Sequence, residues 1–162
     1  MAVKYIIGHW TGGQLKPNSL DLRSYQLLID GDGKEHKGLA VGCASSTGGM
    51  NSITYNISCC GGLSTSRLTR VQFEKFCKTC AEKLKEYGLP VDAFYTHAEI
   101  GELCKDKNII HLLPWNNYLV QNIGKVDLTI IPLDNTHLTF KADAKTTGAK
   151  IRSKIRWYYE KL

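Results

Sequence analysis

Apolar and polar positions along the chain alternate between two spacings, the two-residue period of strands and the three-to-four-residue period of helices. The run Lys4 to Gly8 reads as a first strand, followed by a loop at Gly12, Gly13 and Pro17. Tyr25 to Ile29 and Lys34 to Gly38 read as two more strands. They are joined by Asp30-Gly31-Asp32-Gly33, a hairpin signal because Asp-Gly pairs favour positive φ. Ser52 to Cys59 alternates as a half-buried strand should, ends at Gly61-Gly62, and is a candidate central strand. Ala93 to Thr96 is a further short strand.

The helical spacing is clearest over Thr69 to Tyr87. Thr69-Arg70-Val71-Gln72 fits a capping box, Phe73, Phe76, Cys77, Cys80 and Leu84 form one apolar stripe, and Gly88 with Pro90 provides the stop. Thr147 to Lys161 is the second helix, with Ile151, Ile155 and Tyr158 on its buried face. Leu128 to Ile131 and His137 to Phe140 fit another hairpin. The 105 to 124 stretch, with Leu112-Leu113-Pro114-Trp115, has little periodicity and is either a lid over a site or a packed loop. The Gly-, Ser- and Thr-rich segment Gly42 to Asn51 is expected to be a mobile surface loop. The strand and helix pattern predicts an α/β fold, a mixed central sheet flanked by helices.

Length and composition narrow this further. A chain of 162 residues, 43% hydrophobic and 22% charged, has the balance of one folded domain spanning 1–162 and no linker or repeat that divides it. No apolar run approaches the roughly 20 residues needed to cross a bilayer. The N-terminal segment lacks the apolar stretch and cleavage site of a secretory signal, so synthesis in the cytoplasm is expected. The net charge of +6 suits an anionic partner. Much of it lies at Lys145, Lys150, Arg152, Lys154, Arg156 and Lys161, read as a solvated helix face. No nucleic-acid motif accompanies it, and nucleic acid is not the expected partner.

Six cysteines, Cys43, Cys59, Cys60, Cys77, Cys80 and Cys104, do not imply disulfides in a chain of this size made in the cytoplasm. Cys77 and Cys80 form a C-x-x-C inside a helix, with no second pair to complete a zinc site, and are read as small buried residues. The acids of the hairpin turn lack the remaining positions of an EF-hand, and Gly42 to Asn51 lacks the Lys-Ser/Thr of a P-loop.

The chemistry gathers at three residues beside apolar runs: His9, His97 and Asp127. Two imidazoles and a carboxylate match a catalytic zinc site, whose fourth position is left for water. His36, His111 and His137 are read as surface or strand residues, and Glu99, two residues after His97 and so on the same face of a strand, as a group that orients a ligand or, in preference, as a solvated carboxylate. Trp10 is read as lining a groove or packing in the core.

Taken in order, these features resemble the zinc-dependent N-acetylmuramoyl-L-alanine amidases of the bacteriophage endolysin and peptidoglycan-recognition-protein superfamily. The resemblance rests on the strand ending at His9, Tyr25 to Ile29 with its Asp-Gly turn, and Asn51-Ser52-Ile53 leading a strand to Gly61-Gly62. It continues through the long helix, Thr96-His97-Ala98-Glu99 and Lys125-Val126-Asp127.

The resemblance implies zinc (Zn2+) held by His9, His97 and Asp127, with Lys125 and Tyr25 as catalytic residues. It also implies peptidoglycan as substrate and hydrolysis of the amide between N-acetylmuramic acid and L-alanine. Zinc lowers the pKa of its water towards about 7, and a lysine ammonium suits the charge that develops on the carbonyl oxygen. Tyr25 is expected to position the water or the carbonyl.

The His97 to Asp127 interval is longer than in compact members of the family, and Cys104, a good thiolate ligand, stands nearer to His97. Lys125, two residues before Asp127, favours the carboxylate, because Glu102 occupies the matching place before Cys104. A monomeric phage or prophage endolysin that reaches the wall through holin-type release is the expected role. A recycling amidase, a secreted toxin or a non-catalytic peptidoglycan-binding module are the alternatives.

Overall fold

The computed structural model describes residues 2–43, 46–47, 49–62, 65–100 and 144–162. Lys125, Asp127, Cys104, His111, His137, the 105 to 124 stretch and the Leu128 to Phe140 hairpin lie outside the described residues.

Five strands form one mixed sheet, β1 (Tyr5–Trp10), β2 (Leu27–Ile29), β3 (Glu35–Lys37), β4 (Thr54–Cys59) and β5 (Phe94–Thr96), in the order β3-β2-β4-β1-β5. The β2–β3 pair is the antiparallel hairpin, closed by Asp30 N–H to the Lys34 carbonyl and by Gly33 at φ 81°. The other pairings are parallel, so β4 and β1 are bonded on both edges. Alternation sends Ile6 of β1 and Tyr55, Ile57 and Cys59 of β4 to one face, where they meet Phe73, Phe76, Cys77 and Leu84. Ile7 belongs to the opposite face, with Met50 and Ile100.

Helix α1 (Arg70–Glu86) starts from the capping box that the sequence predicts, with Thr69 and Gln72 exchanging both bonds. It ends in a Schellman turn: Gly88, at φ 66°, bonds the Lys85 carbonyl and Leu89 N–H bonds that of Leu84. The whole predicted stripe is buried. Helix α2 (Ala144–Tyr159) begins three residues before the predicted start and packs on α1 through Ile151 and Ile155.

Three expectations are corrected. Every residue of β4 is buried, so its polar positions Thr54, Asn56 and Ser58 face an interior rather than water. The Gly42 to Asn51 segment is no free surface loop in its described part: Thr47 and Met50 are fully buried, and Asn51 Oδ1 accepts from the Ser46 and Thr47 amides. The basic face of α2 is also partly engaged. Lys154 pairs with Glu74, Arg156 with Asp92 and Arg152 with Glu99.

The Arg152 pair differs from the others because Glu99 is buried. The guanidinium grips both carboxylate oxygens, at 3.0 and 2.8 Å, and donates to the Phe94 carbonyl at 3.1 Å. Helix α2 approaches closely enough that a Cβ at Gly148 would overlap this carboxylate. Removing one partner of a buried pair strands the other charge, so Arg152→Ala should cost about 3–5 kcal/mol. Arg156→Ala, whose partner is exposed, should cost less than about 1 kcal/mol. Urea unfolding of the two variants checks this, and equal losses would refute Arg152 as the anchor of α2.

Candidate functional site

His9 is the fifth residue of β1, inside the strand rather than after it as the sequence suggests, because parallel pairing continues through His9–Ser58 and Trp10–Cys59. Its side chain is buried on the face opposite α1. Trp10 points the other way and packs against the core, resolving the choice between groove and core.

His97 follows β5 directly and opens a helical turn over residues 97–100. That turn has its own reciprocal cap: Glu99 N–H donates to Thr96 Oγ1 at 3.2 Å and Thr96 N–H to Glu99 Oε1 at 3.0 Å. Glu99 is therefore not a solvated carboxylate. It is buried, caps the turn that carries His97 and receives Arg152 from α2.

These elements bring the two imidazoles together, with ring centroids 5.0 Å apart and planes at 71°. Tyr25, just before β2, adds its ring 5.1 Å from that of His9, and its hydroxyl lies 3.4 Å from the Trp10 carbonyl. Three of the five predicted site residues thus share one place. Among the described residues no group of three His, Cys, Asp or Glu side chains is arranged to hold a metal ion. The described donor set is two imidazoles.

Both imidazoles are held neutral. Burial, and then the neighbouring His97, push His9 well below its ordinary 6.5, against the opposing effect of its hydrogen bond to Asn56 Oδ1. Burial alone brings His97 down to about 4. Neutral imidazole is the form that binds metal.

Residues that sequence reasoning passed over complete the surroundings of His9. Its Nε2 lies 2.8 Å from Asn56 Oδ1 and 3.2 Å from Thr47 Oγ1, and the Thr47 hydroxyl donates to the same Asn56 oxygen at 2.7 Å. Asn56 is in turn held by Gln26 and Thr54. The polar half of the β4 alternation was the available signal. The remaining predicted histidine in a described element, His36, binds the buried Asp30 carboxylate at 2.8 Å and belongs to the hairpin. The five described cysteines are all free, and burial pushes the thiols of Cys59, Cys77 and Cys80 well up, as suits packing residues.

Fold and site together define an α/β protein that presents two neutral histidines, one in β1 and one just beyond the adjacent β5, beside a tyrosine that precedes β2. The chain belongs to the N-acetylmuramoyl-L-alanine amidase family, whose model matches residues 1–108. That span contains His9, Tyr25, His97 and Cys104, and ends before Lys125 and Asp127. The fold is similar to that of the Ph2119 endolysin from the Thermus scotoductus MAT2119 bacteriophage Ph2119, with TM-score 0.51 and 17% identity, covering 61% of this chain and 73% of that one. It is also similar to the N-acetylmuramoyl-L-alanine amidase LysC from Clostridium intestinale URNW, with TM-score 0.52 and 17% identity over 76% and 83% of the two chains. No curated protein sequence matches.

The low histidine pKa values carry a stability prediction for the metal-free protein. An unfolded histidine takes up a proton near 6.5, whereas folded His97 does so near 4 and folded His9 well below 6.5. The contribution of His97 is complete above pH 6.5 and lost as pH falls towards about 4, and His9 changes stability in the same direction. For His97 the loss is roughly 3 kcal/mol. Urea titrations across this window should show it, and His97→Gln should flatten the profile; a flat wild-type profile would contradict the burial.

Proposed function

We propose that this protein is a zinc-dependent N-acetylmuramoyl-L-alanine amidase that cleaves the amide between N-acetylmuramic acid and the L-alanine of the stem peptide. The observation that carries the reading is the juxtaposition of two buried, neutral imidazoles in a member of this family. Residues 1–162 are taken as one amidase domain, a reading supported by the packing of α2 on α1 and by its tie to Glu99.

In this reading His9, His97 and Asp127 hold the metal. Bound zinc supplies Lewis acidity, polarising a water and the scissile carbonyl. The protein's own groups do the rest. The Lys125 ammonium offsets the negative charge that grows on the carbonyl oxygen as the amide is attacked. Tyr25, beside His9, orients the water or the carbonyl through its hydroxyl. The sheet and the capped turn fix the two histidines, so little reorganisation accompanies reaction.

The biological role that fits is lysis of the cell wall by a phage or prophage endolysin. Its support is the sequence resemblance and the fold likeness to a phage endolysin. The enzyme is made in the cytoplasm and gains the wall through holin-type release. No helix among the described residues is long and apolar enough to cross a membrane. The protein acts as a monomer on peptidoglycan, and its net charge of +6 favours approach to an anionic envelope.

Purified protein should contain about one zinc per chain and release stem peptides from sacculi, with activity abolished by chelation and restored by zinc. His9→Ala and His97→Ala should lose both metal and activity, and Lys125→Ala should keep metal while kcat falls about 10²–10³-fold. Asp127→Ala should lose metal and Cys104→Ala should retain it. The reverse result assigns the third position to Cys104. Metal-free protein that still binds sacculi without cleaving them would make the chain a binding module instead.

A further inference from the structure

We infer that Asn56 is a positioning residue that fixes the tautomer of His9, placing the proton on Nε2 and leaving Nδ1 as the nitrogen that faces a metal. The inference rests on the zinc reading of this site and adds which nitrogen binds and what selects it.

The direction of every hydrogen bond around Asn56 is set by backbone groups whose roles are invariable. Gln26 Nε2 donates to the Ala40 carbonyl at 3.2 Å, and Gln26 Oε1 accepts from the Asn56 backbone N–H at 2.7 Å. Both contacts demand the same orientation of the Gln26 amide. Its oxygen then faces Asn56 Nδ2 at 3.0 Å, which must be the donor. Thr54 agrees: its hydroxyl donates to the Met50 carbonyl at 2.9 Å, so its oxygen accepts from Asn56 Nδ2 at 3.1 Å. The Asn56 amide has therefore only one orientation, with Oδ1 towards His9.

That oxygen is a pure acceptor. It receives the Thr47 hydroxyl at 2.7 Å and lies 2.8 Å from His9 Nε2. An Nε2 without a proton would press two lone pairs together at that distance, among side chains buried from bulk solvent. An Nε2–H completes the network instead. The backbone of the segment after β3, of the loop before β4 and of β4 itself thus determines, through Gln26, Thr54 and Asn56, where the His9 proton sits. Metal-binding histidines commonly donate their other ring N–H to such a partner, and loss of the partner typically costs 10–100-fold in affinity.

The test begins with metal-free protein at neutral pH, where ¹H–¹⁵N long-range correlation distinguishes protonated from unprotonated ring nitrogens. Wild-type His9 should show Nε2–H and an unprotonated Nδ1. An Nδ1–H tautomer in the wild type would overturn the inference whether or not any variant folds. Asn56→Leu removes the acceptor at similar volume and should abolish the Nε2–H preference and weaken zinc about 10–100-fold in competition with a chromophoric chelator. Asn56→Asp, which keeps an acceptor oxygen, should retain the wild-type tautomer and most of the affinity. An Asn56→Leu protein with unchanged tautomer and affinity would also overturn the inference. Failure of wild-type protein to bind zinc, with the Nε2–H tautomer present, refutes the zinc reading and leaves the tautomer assignment standing.

Discussion

The register of β1 between β4 and β5 is the constraint on which the rest depends. A strand has a period of two, so a slip of one residue would carry Ile6 out of the core and turn His9 into it. The apolar row seals against α1 on one face, and the polar row of β4 bonds to His9 on the other. Both faces reject the same slip. The placement of His9 and the core are therefore specified by one pairing.

The second histidine is secured by different means. His97 lies just beyond β5, where the sheet no longer holds the backbone, and a capped helical turn takes over. The carboxylate of that cap is bound by Arg152, 53 residues further on, so α2 braces the turn as well as covering the core. Gly148 permits the approach. A buried ion pair gives little net stability, but it is costly to break and demands one docking geometry. This explains why the cationic helix is more than a solvated surface.

Local features were the legible ones. The α1 cap, stripe and stop are all written within a few residues of one another, as are the hairpin turn and the strand runs that end near His9 and His97. Alternation in β4 showed which residues share a face but not what lies over that face, and so Asn56 passed as a solvent-side polar residue. The burial of Thr47 and Met50 is hidden for a similar reason, since Gly, Ser and Thr content reports backbone freedom and not burial. Strand periodicity misplaces Glu99 because its backbone is helical, and its partner is distant in sequence. The assignment of Lys125 and Asp127 rests on resemblance and spacing alone.

Two neighbouring imidazoles, one oriented by Asn56, are proposed here as two corners of a zinc site. Anomalous diffraction from zinc-loaded crystals, recorded on both sides of the zinc absorption edge, tests it most directly. One peak is expected, about 2.0–2.1 Å from Nδ1 of His9 and from a ring nitrogen of His97. A zinc peak bound elsewhere, or bound to Nε2 of His9, would contradict it.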